Sequence, residues 1–385
     1  MAKSVVALVR CGSYQNEEVY KAVKRGIDLL GGAAFFTGKR EHILLKPNVL
    51  FGDKPERCST TNPVVFQETG RLFKESGAEL YFGDSPGFGK ATTQLKRSGM
   101  SRAGAEVGMK EADFDNGREV LFKESFFARK FLIADGVLEA AGLISIGKLK
   151  THQLTRITAA VKNQFGCIPG LIKAKYHVDL ADINDFAEML VALNLFLKPR
   201  LYIVDGIMAM EGNGPRSGDP VKMNVLLFSR DPIALDATIC RMIDLNPEYV
   251  PTMKPGRELG LGTYKSEEIE IVGDPLESFI NTGFKATRRP PARVQRLGSI
   301  SFLFNLFGAR PVIREEKCVC CRVCIEVCPV KPKALNWRSG DKQKLQPPVF
   351  NYSKCIRCYC CQELCPEKAI YVKTPLLVRF FTKKT

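Results

Sequence analysis

The sequence predicts an α/β protein, a mostly parallel sheet with helices on both faces, followed by a small α+β unit at the C-terminal end. Three observations carry this expectation. Over roughly the first 290 residues, short apolar runs with β-branched content alternate with longer segments whose apolar residues recur at helical spacing. The composition then shifts at Arg288-Arg289-Pro290-Pro291, which reads as a linker. Beyond it, one cysteine pattern occurs twice, in a stretch too short to build a large core of its own.

The elements follow in order. Residues 5–9 form an apolar run that reads as the first strand, and 19–30 carry apolar residues at helical spacing. Residues 43–45 are the next strand, 64–76 the next helix, and 80–83 and 143–146 two more strands. Residues 183–197 make a strong helix candidate, opened by Asp182 as a cap and closed by Pro199. Strands at 201–204 and 224–228, a helix at 232–243 and a strand at 269–272 complete the alternation. Such alternation buries a parallel sheet on both faces and leaves strand order open. The expected organisation is an α/β domain at 1–290, a linker or docking segment at 291–313, a cysteine-rich unit at 314–373 and a basic tail at 374–385.

The cysteine pattern is Cys318-x2-Cys321-x2-Cys324-x3-Cys328-Pro329, repeated as Cys355-x2-Cys358-x2-Cys361-x3-Cys365-Pro366. Bacterial-type ferredoxins hold two [4Fe–4S] clusters with this spacing, and the fourth cysteine of each run ligates the other cluster. One cluster is then expected on Cys318, Cys321, Cys324 and Cys365, and the other on Cys355, Cys358, Cys361 and Cys328. A zinc site needs four ligands rather than eight in a double register. The six remaining cysteines show no disulfide framework, and Cys320 and Cys360 read as loop residues.

No run approaches 18 apolar residues, and 5–9 is too short for a signal peptide core. The expected compartment is therefore reducing and cytoplasmic. Formal charge is +16, lowered to about +12 once thiolates and cluster iron are counted. Residues 314–373 alone hold 12 Lys or Arg against 6 Asp or Glu. A basic redox unit draws an acidic electron-carrier protein, an anionic small molecule or a membrane surface. Nucleic acid is disfavoured, because no basic motif interleaved with aromatics is present. The Phe-rich stretch 300–307 and residues 376–385 suit either docking of the small unit or peripheral membrane contact, and neither spans a bilayer.

Ligands of open α/β sheets gather beyond the carboxyl ends of the strands. Lys46-Pro47-Asn48 follows the second strand, and Asp84-Ser85-Pro86-Gly87 the third. Lys148-Leu149-Lys150-Thr151-His152 and Asp205-Gly206, with Glu211-Gly212-Asn213-Gly214-Pro215, follow two more. Only three histidines occur, and two share the spacing Lys148-x-Lys150-x-His152 and Lys173-x-Lys175-x-His177, with Lys162 and Asn163 between. Lysines at this density hold phosphate or carboxylate as point charges. A neighbouring histidine can move a proton near neutral pH. Lys46, Asn48, Ser85, Lys148, Lys162, Asn163, Lys173, Lys175, Glu211 and Asn213 are thus candidates for an anionic ligand site. His152, His177 and Lys150 are candidate catalytic groups, with Asp84 or Asp205 orienting them. Asp205 and Glu211 also offer oxygen ligands for a hard cation. No Walker A loop is present, since Gly89-Lys90 is followed by Ala91.

These motifs in combination, with Asp231-Pro232 and Asp236, resemble domain-of-unknown-function family 362, fused to a double-cluster ferredoxin domain. The resemblance covers roughly residues 4–275 and, separately, 314–373. It implies an α/β domain, partnership with iron–sulfur clusters and a redox role, without naming a substrate. Three functions stay open at this stage: an iron–sulfur oxidoreductase, an electron carrier whose large domain docks another oxidoreductase, and a nucleic-acid or assembly factor with structural clusters.

Overall fold

The computed structural model describes residues 3–123, 130–170, 172–290, 309–338 and 346–373. The apolar stretch 300–307, most of the expected linker and the basic tail lie outside these residues. Nine strands of the described residues form one sheet: β1 (Ser4–Arg10), β2 (His42–Pro47), β3 (Glu79–Phe82), β4 (Lys110–Glu111), β7 (Gly142–His152), β8 (Arg156–Thr158), β9 (Leu201–Glu211), β10 (Asp219–Ser229) and β11 (Ile269–Gly273). Its order is β11-β1-β10-β9-β7-β2-β3-β4, with β8 folded back on β7. Every pairing is parallel except those made by β10 and β8. The hairpin β5 (Gly117–Leu121) and β6 (Lys130–Ala134) stands apart from it.

Alternate side chains along each strand feed two cores. Ala7, Val9, Ile43, Leu45, Ile144 and Ile146 face α1 (Asn16–Asp28), α2 (Pro63–Glu75) and α4 (Met100–Val107), the last preceded by α3 (Ala91–Ser98). Val6, Leu8, Leu44, Leu143 and Val204 face the opposite core, with α6 (Ile183–Leu197) and α7 (Pro232–Met242). Each such Leu or Ile withdrawn from water contributes about 1.5–3 kcal/mol, which is why both faces must be covered. The helices start where expected. Asp182 accepts from the Asn184 amide, Asn62 from Val64, and Asp231 from Ile233 and Ala234. Lys198 then takes a left-handed conformation just before Pro199 and ends α6.

Two strands run further than their apolar cores. Residues Lys148–His152 and Asp205–Glu211, expected in loops, continue β7 and β9. Lys148 and Asp205 are register partners on these neighbouring strands, so each polar side chain meets its opposite charge within the sheet. The small unit has two short antiparallel pairs, β12 (Arg310–Ile313) with β15 (Ile370–Lys373) and β13 (Leu335–Asn336) with β14 (Val349–Phe350). One-turn helices α8 (Val323–Glu326) and α9 (Cys360–Glu363) follow the cysteine loops, and α5 (Ile172–Asp179) precedes α6 in the large unit. Phe51, Val327, Cys360 and Leu364 form a shared apolar cluster that seats the small unit on the carboxyl end of the sheet.

Candidate functional site

At the carboxyl ends of β2, β3, β7 and β9 the polar residues form a buried layer. Lys46 Nζ donates to Asp84 Oδ1 at 2.6 Å, and Asp84 Oδ2 accepts the Val49 amide. Lys148 Nζ donates to Asp205 Oδ2 at 2.7 Å, and Asp205 also accepts Tyr14 OH and the Asn62 and Ile207 amides. Both pairs are almost wholly buried. Lysines held this way are neutralised and are not free for a ligand. A Cβ on Gly166 would stand 1.9 Å from Asp84 Oδ1, so a glycine is required beside that pair. Asn163 belongs to the same layer, donating to Ser145 Oγ and accepting from Lys46.

Lys150 differs from its neighbours. Its ammonium donates to Asn48 Oδ1 and the Ser59 carbonyl, both at 2.6 Å, and has no carboxylate partner among the described residues. Burial, then Lys162 and Lys148, push it down to about 7. Lys173 donates to Ser85 Oγ, Ser85 O and Ile168 O, and burial likewise pushes it down to about 7. Its side chain is half-buried, with the ammonium turned inward onto these three acceptors.

His152, at the end of β7, accepts the Leu154 and Thr155 amides at Nδ1. Its proton therefore sits on Nε2, 2.7 Å from Glu363 Oε1 of α9. That approach faces the Nε2–H toward the Glu363 carboxylate. Burial, followed by Lys162, pushes His152 down to about 4, and double acceptance at Nδ1 also requires the neutral ring. Glu363 is held below its ordinary range: burial opposes ionisation, but His152 and Lys162 outweigh it.

Between the two units lies a cleft of about 670 Å³. One wall carries Asn48, Ser85, Lys162, Phe165, Lys173, Lys175 and His177; the other carries Val327, Cys328, Pro329, Lys331, Cys360 and Glu363. His177 lies flat against Phe186, with ring centres 4.6 Å apart, and burial pushes it down to about 4.

The eight cysteines of the repeated pattern surround two hollows in the interleaved register. Cys318, Cys321, Cys324 and Cys365 line one; Cys355, Cys358, Cys361 and Cys328 line the other. In each set, among the described residues, the thiols ring a space rather than converge on one ion position. Both loops wind alike, since Cys320 and Arg322 in the first and Arg357 and Tyr359 in the second take left-handed backbone at the same offsets. The Ala369 amide donates to Cys365 Sγ at 3.3 Å, a contact that stabilises a charged sulfur. This donor set suits an iron–sulfur cube in each hollow.

The model of the family "Domain of unknown function (DUF362)" matches residues 43–241. A thylakoid-associated protein of Synechocystis sp. is 35% identical over 282 residues, covering 73% of this chain and 87% of that one. The chain belongs to the DUF362 family. A 4Fe-4S binding domain model matches residues 348–371, so this family member carries an iron–sulfur domain on its second cysteine run. Among solved structures, the lactate racemase apoprotein of Thermoanaerobacterium thermosaccharolyticum aligns with a TM-score of 0.41 at 12% identity, over 60% of this chain and 55% of that one. A Thermotoga maritima protein gives 0.33 at 12% identity, over 57% and 56%. The chain thus spans little more than half the length of each of these structures.

In this DUF362 chain several expected roles change. Asp84 and Asp205 orient lysines rather than histidines. Glu211 pairs with Lys285 at 3.0 Å and accepts its amide, away from the cleft, so Asp205 and Glu211 do not share a cation. Asn213 accepts from Gln362 and donates to Ile370 O, holding the small unit rather than a ligand. The cleft retains Asn48, Ser85, Lys162, Asn163, Lys173, Lys175 and His177 from the expected set. Sequence reading missed Glu363 and the clamp of Arg216 on Asp53. Arg216 donates twice to Asp53 at 2.7 Å and once to Leu364 O at 2.9 Å, next to Cys365. A buried arginine on an ordinary-looking loop gives no local signal.

Proposed function

We propose that the protein is a redox enzyme that holds two [4Fe–4S] clusters and reduces a substrate or second cofactor bound in the cleft between its units. Cys318, Cys321, Cys324 and Cys365 would hold one cluster, and Cys355, Cys358, Cys361 and Cys328 the other. Such clusters supply single electrons at low potential. The observation that carries the reading is Cys328, which lines both the second hollow and the cleft. A ligand in the cleft therefore sits against a cluster-holding residue. Lys162, Lys175 and Lys331 favour an anionic ligand, and Phe165 and Val327 give it apolar walls. His177 is the proton-carrying group on that wall.

The first hollow faces outward, with Cys321 exposed and Val319 62% exposed. That is the face for a protein electron donor, and the basic balance of residues 314–373 selects an acidic one. Among the described residues no helix is long and apolar enough to cross a membrane. An association like that in the relative's name would here be peripheral, on the reducing, cytoplasmic side.

The test begins with anaerobic purification, where iron content of about eight per chain and a dithionite-induced EPR signal are expected. Reduced protein is then mixed with small acceptors and its reoxidation followed optically. Ala174→Trp fills the cleft without touching either hollow, and it should slow reoxidation. Equal rates in the two proteins would refute the cleft as the route.

A further inference from the structure

His177 is 6% exposed, yet its ring nitrogens make no hydrogen bond among the described residues. Its flat contact with Phe186 and its edge contact with Phe165, at 5.8 Å and 76°, fix the ring plane. Neither nitrogen is sealed from solvent, and His177 lines the cleft. Lys162 approaches the same Phe165 ring at 5.8 Å and makes no ion pair among the described residues. Three of the cleft carboxylates are occupied elsewhere, Asp84 by Lys46, Glu326 by Arg322 at 3.1 Å, and Glu363 by contact with His152, and the fourth, Asp179, is outnumbered by Lys162, Lys175 and Lys331. Positive charge and one unpartnered imidazole therefore remain beside an apolar wall of Leu50, Val327 and Leu364.

We infer that the cleft binds a planar, conjugated anion, its ring system against the apolar wall, its charged group at Lys162 and a polar ring substituent on the His177 nitrogen. The His177 nitrogens are tied to no protein group among the described residues, so a polar ligand atom can bond one of them without breaking an internal hydrogen bond. Apolar lining from Leu50, Val327, Leu364 and Phe165 with a cation beside it suits a flat anion better than a compact one. The planar and anionic character stands on the cleft alone. That the ligand is conjugated, and so able to accept electrons, rests on the redox reading.

The probe is anthraquinone-2-sulfonate, with uncharged 2-(hydroxymethyl)anthraquinone as its comparison, titrated calorimetrically into the anaerobic, cluster-loaded full chain. The sulfonate should bind more tightly than the uncharged compound. Lys162→Met should weaken the sulfonate about tenfold and leave the other unchanged, since tenfold corresponds to about 1.4 kcal/mol. His177→Phe keeps the ring stack and should weaken both. Equal affinity for the two compounds, or no effect of either substitution, would overturn the site; should His177→Phe misfold, Lys162→Met still decides. Reoxidation of the dithionite-reduced protein by the sulfonate separates the two ideas. Binding governed by Lys162 and His177 without reoxidation sinks the redox reading and keeps the site. Fast reoxidation indifferent to both substitutions does the reverse.

Discussion

Arg216→Met should loosen the small unit from the sheet. Arg216 is 2% exposed, forms a two-pronged pair with Asp53, stacks on Phe51 at 3.8 Å and donates to the Leu364 carbonyl. Methionine keeps the contact with Phe51 but leaves the Asp53 carboxylate, 5% exposed, without its main partner. Breaking a buried pair from one side costs about 3–5 kcal/mol. Ser59 Oγ still donates to Asp53 at 2.9 Å and Arg57 stands 3.8 Å away, which favours the lower end. The lost donor on Leu364 adds about 1 kcal/mol. The expected loss is thus about 4 kcal/mol, a large part of the 5–15 kcal/mol typical of a domain. Removing both charges, as Arg216→Met with Asp53→Leu, should recover most of it, because the penalty lies in the stranded carboxylate. The sign with pH is also set. Burial raises the Asp53 pKa, but Arg216 more than offsets this and holds it low, so the pair stabilises above the ordinary Asp range and is lost as pH falls through the folded value. The single variant's deficit should therefore narrow on acidification. Anaerobic denaturant titrations, read by cluster absorbance and by far-ultraviolet circular dichroism, measure all three proteins. A single variant within about 1 kcal/mol of wild type, or a double variant no more stable than the single, would refute the reasoning.

Two further outcomes are expected. Lys150 is pushed from 10.5 to about 7 in the fold, so between those values the unfolded chain holds the extra proton and stability rises with pH, by up to about 1.4 kcal/mol per unit. Lys150→Met should remove its share of that slope in denaturation at pH 7, 8 and 9, leaving that of Lys173; an unchanged slope would contradict the burial account. Stripping iron with a chelator should unravel the small unit while the sheet persists. Its own core is little more than Leu335, Ala369, Ile370 and two cysteines, and left-handed backbone at Cys320, Arg322, Arg357 and Tyr359 costs about 1–2 kcal/mol each. Limited proteolysis should then cut within residues 310–373 and spare 4–273, and resistance in that segment would show that docking alone holds it.

How far a feature could be read from the sequence depended on whether its physical cause is local. The strands near residues 5–9, 43–45 and 201–204 are visible because both faces of a covered sheet demand apolar side chains in one short run. The cysteine register is visible because the ligand spacing is the chemistry, and the two hollows enclose the eight residues that spacing names. Lys46 and Lys148 show the opposite case. Each looks like an open cation at a strand end until the third dimension brings Asp84 or Asp205 beside it from a different strand. The same blindness truncated β7 and β9 at their first polar residues, although Lys148 and Asp205 satisfy each other across the ladder.

The cleft was the least legible feature, because neither unit contains it. Lys162, Lys173 and His177 come from the segment between β8 and α6, while Cys328, Cys360 and Glu363 come from the two cysteine loops. What joins these walls, besides the apolar cluster of Phe51, Val327, Cys360 and Leu364, is a few charged or polar residues whose partners are distant in the chain: Arg216 with Asp53 and Leu364, Gln362 with Asn213, and His152 beside Glu363. The positions that seat α9 also place Cys360 and Glu363 in the cleft wall, between and beside the cysteines proposed to hold a cluster. Docking and site assembly are therefore one event, and a substitution that frees the small unit should remove the cleft even where every residue lining it is intact.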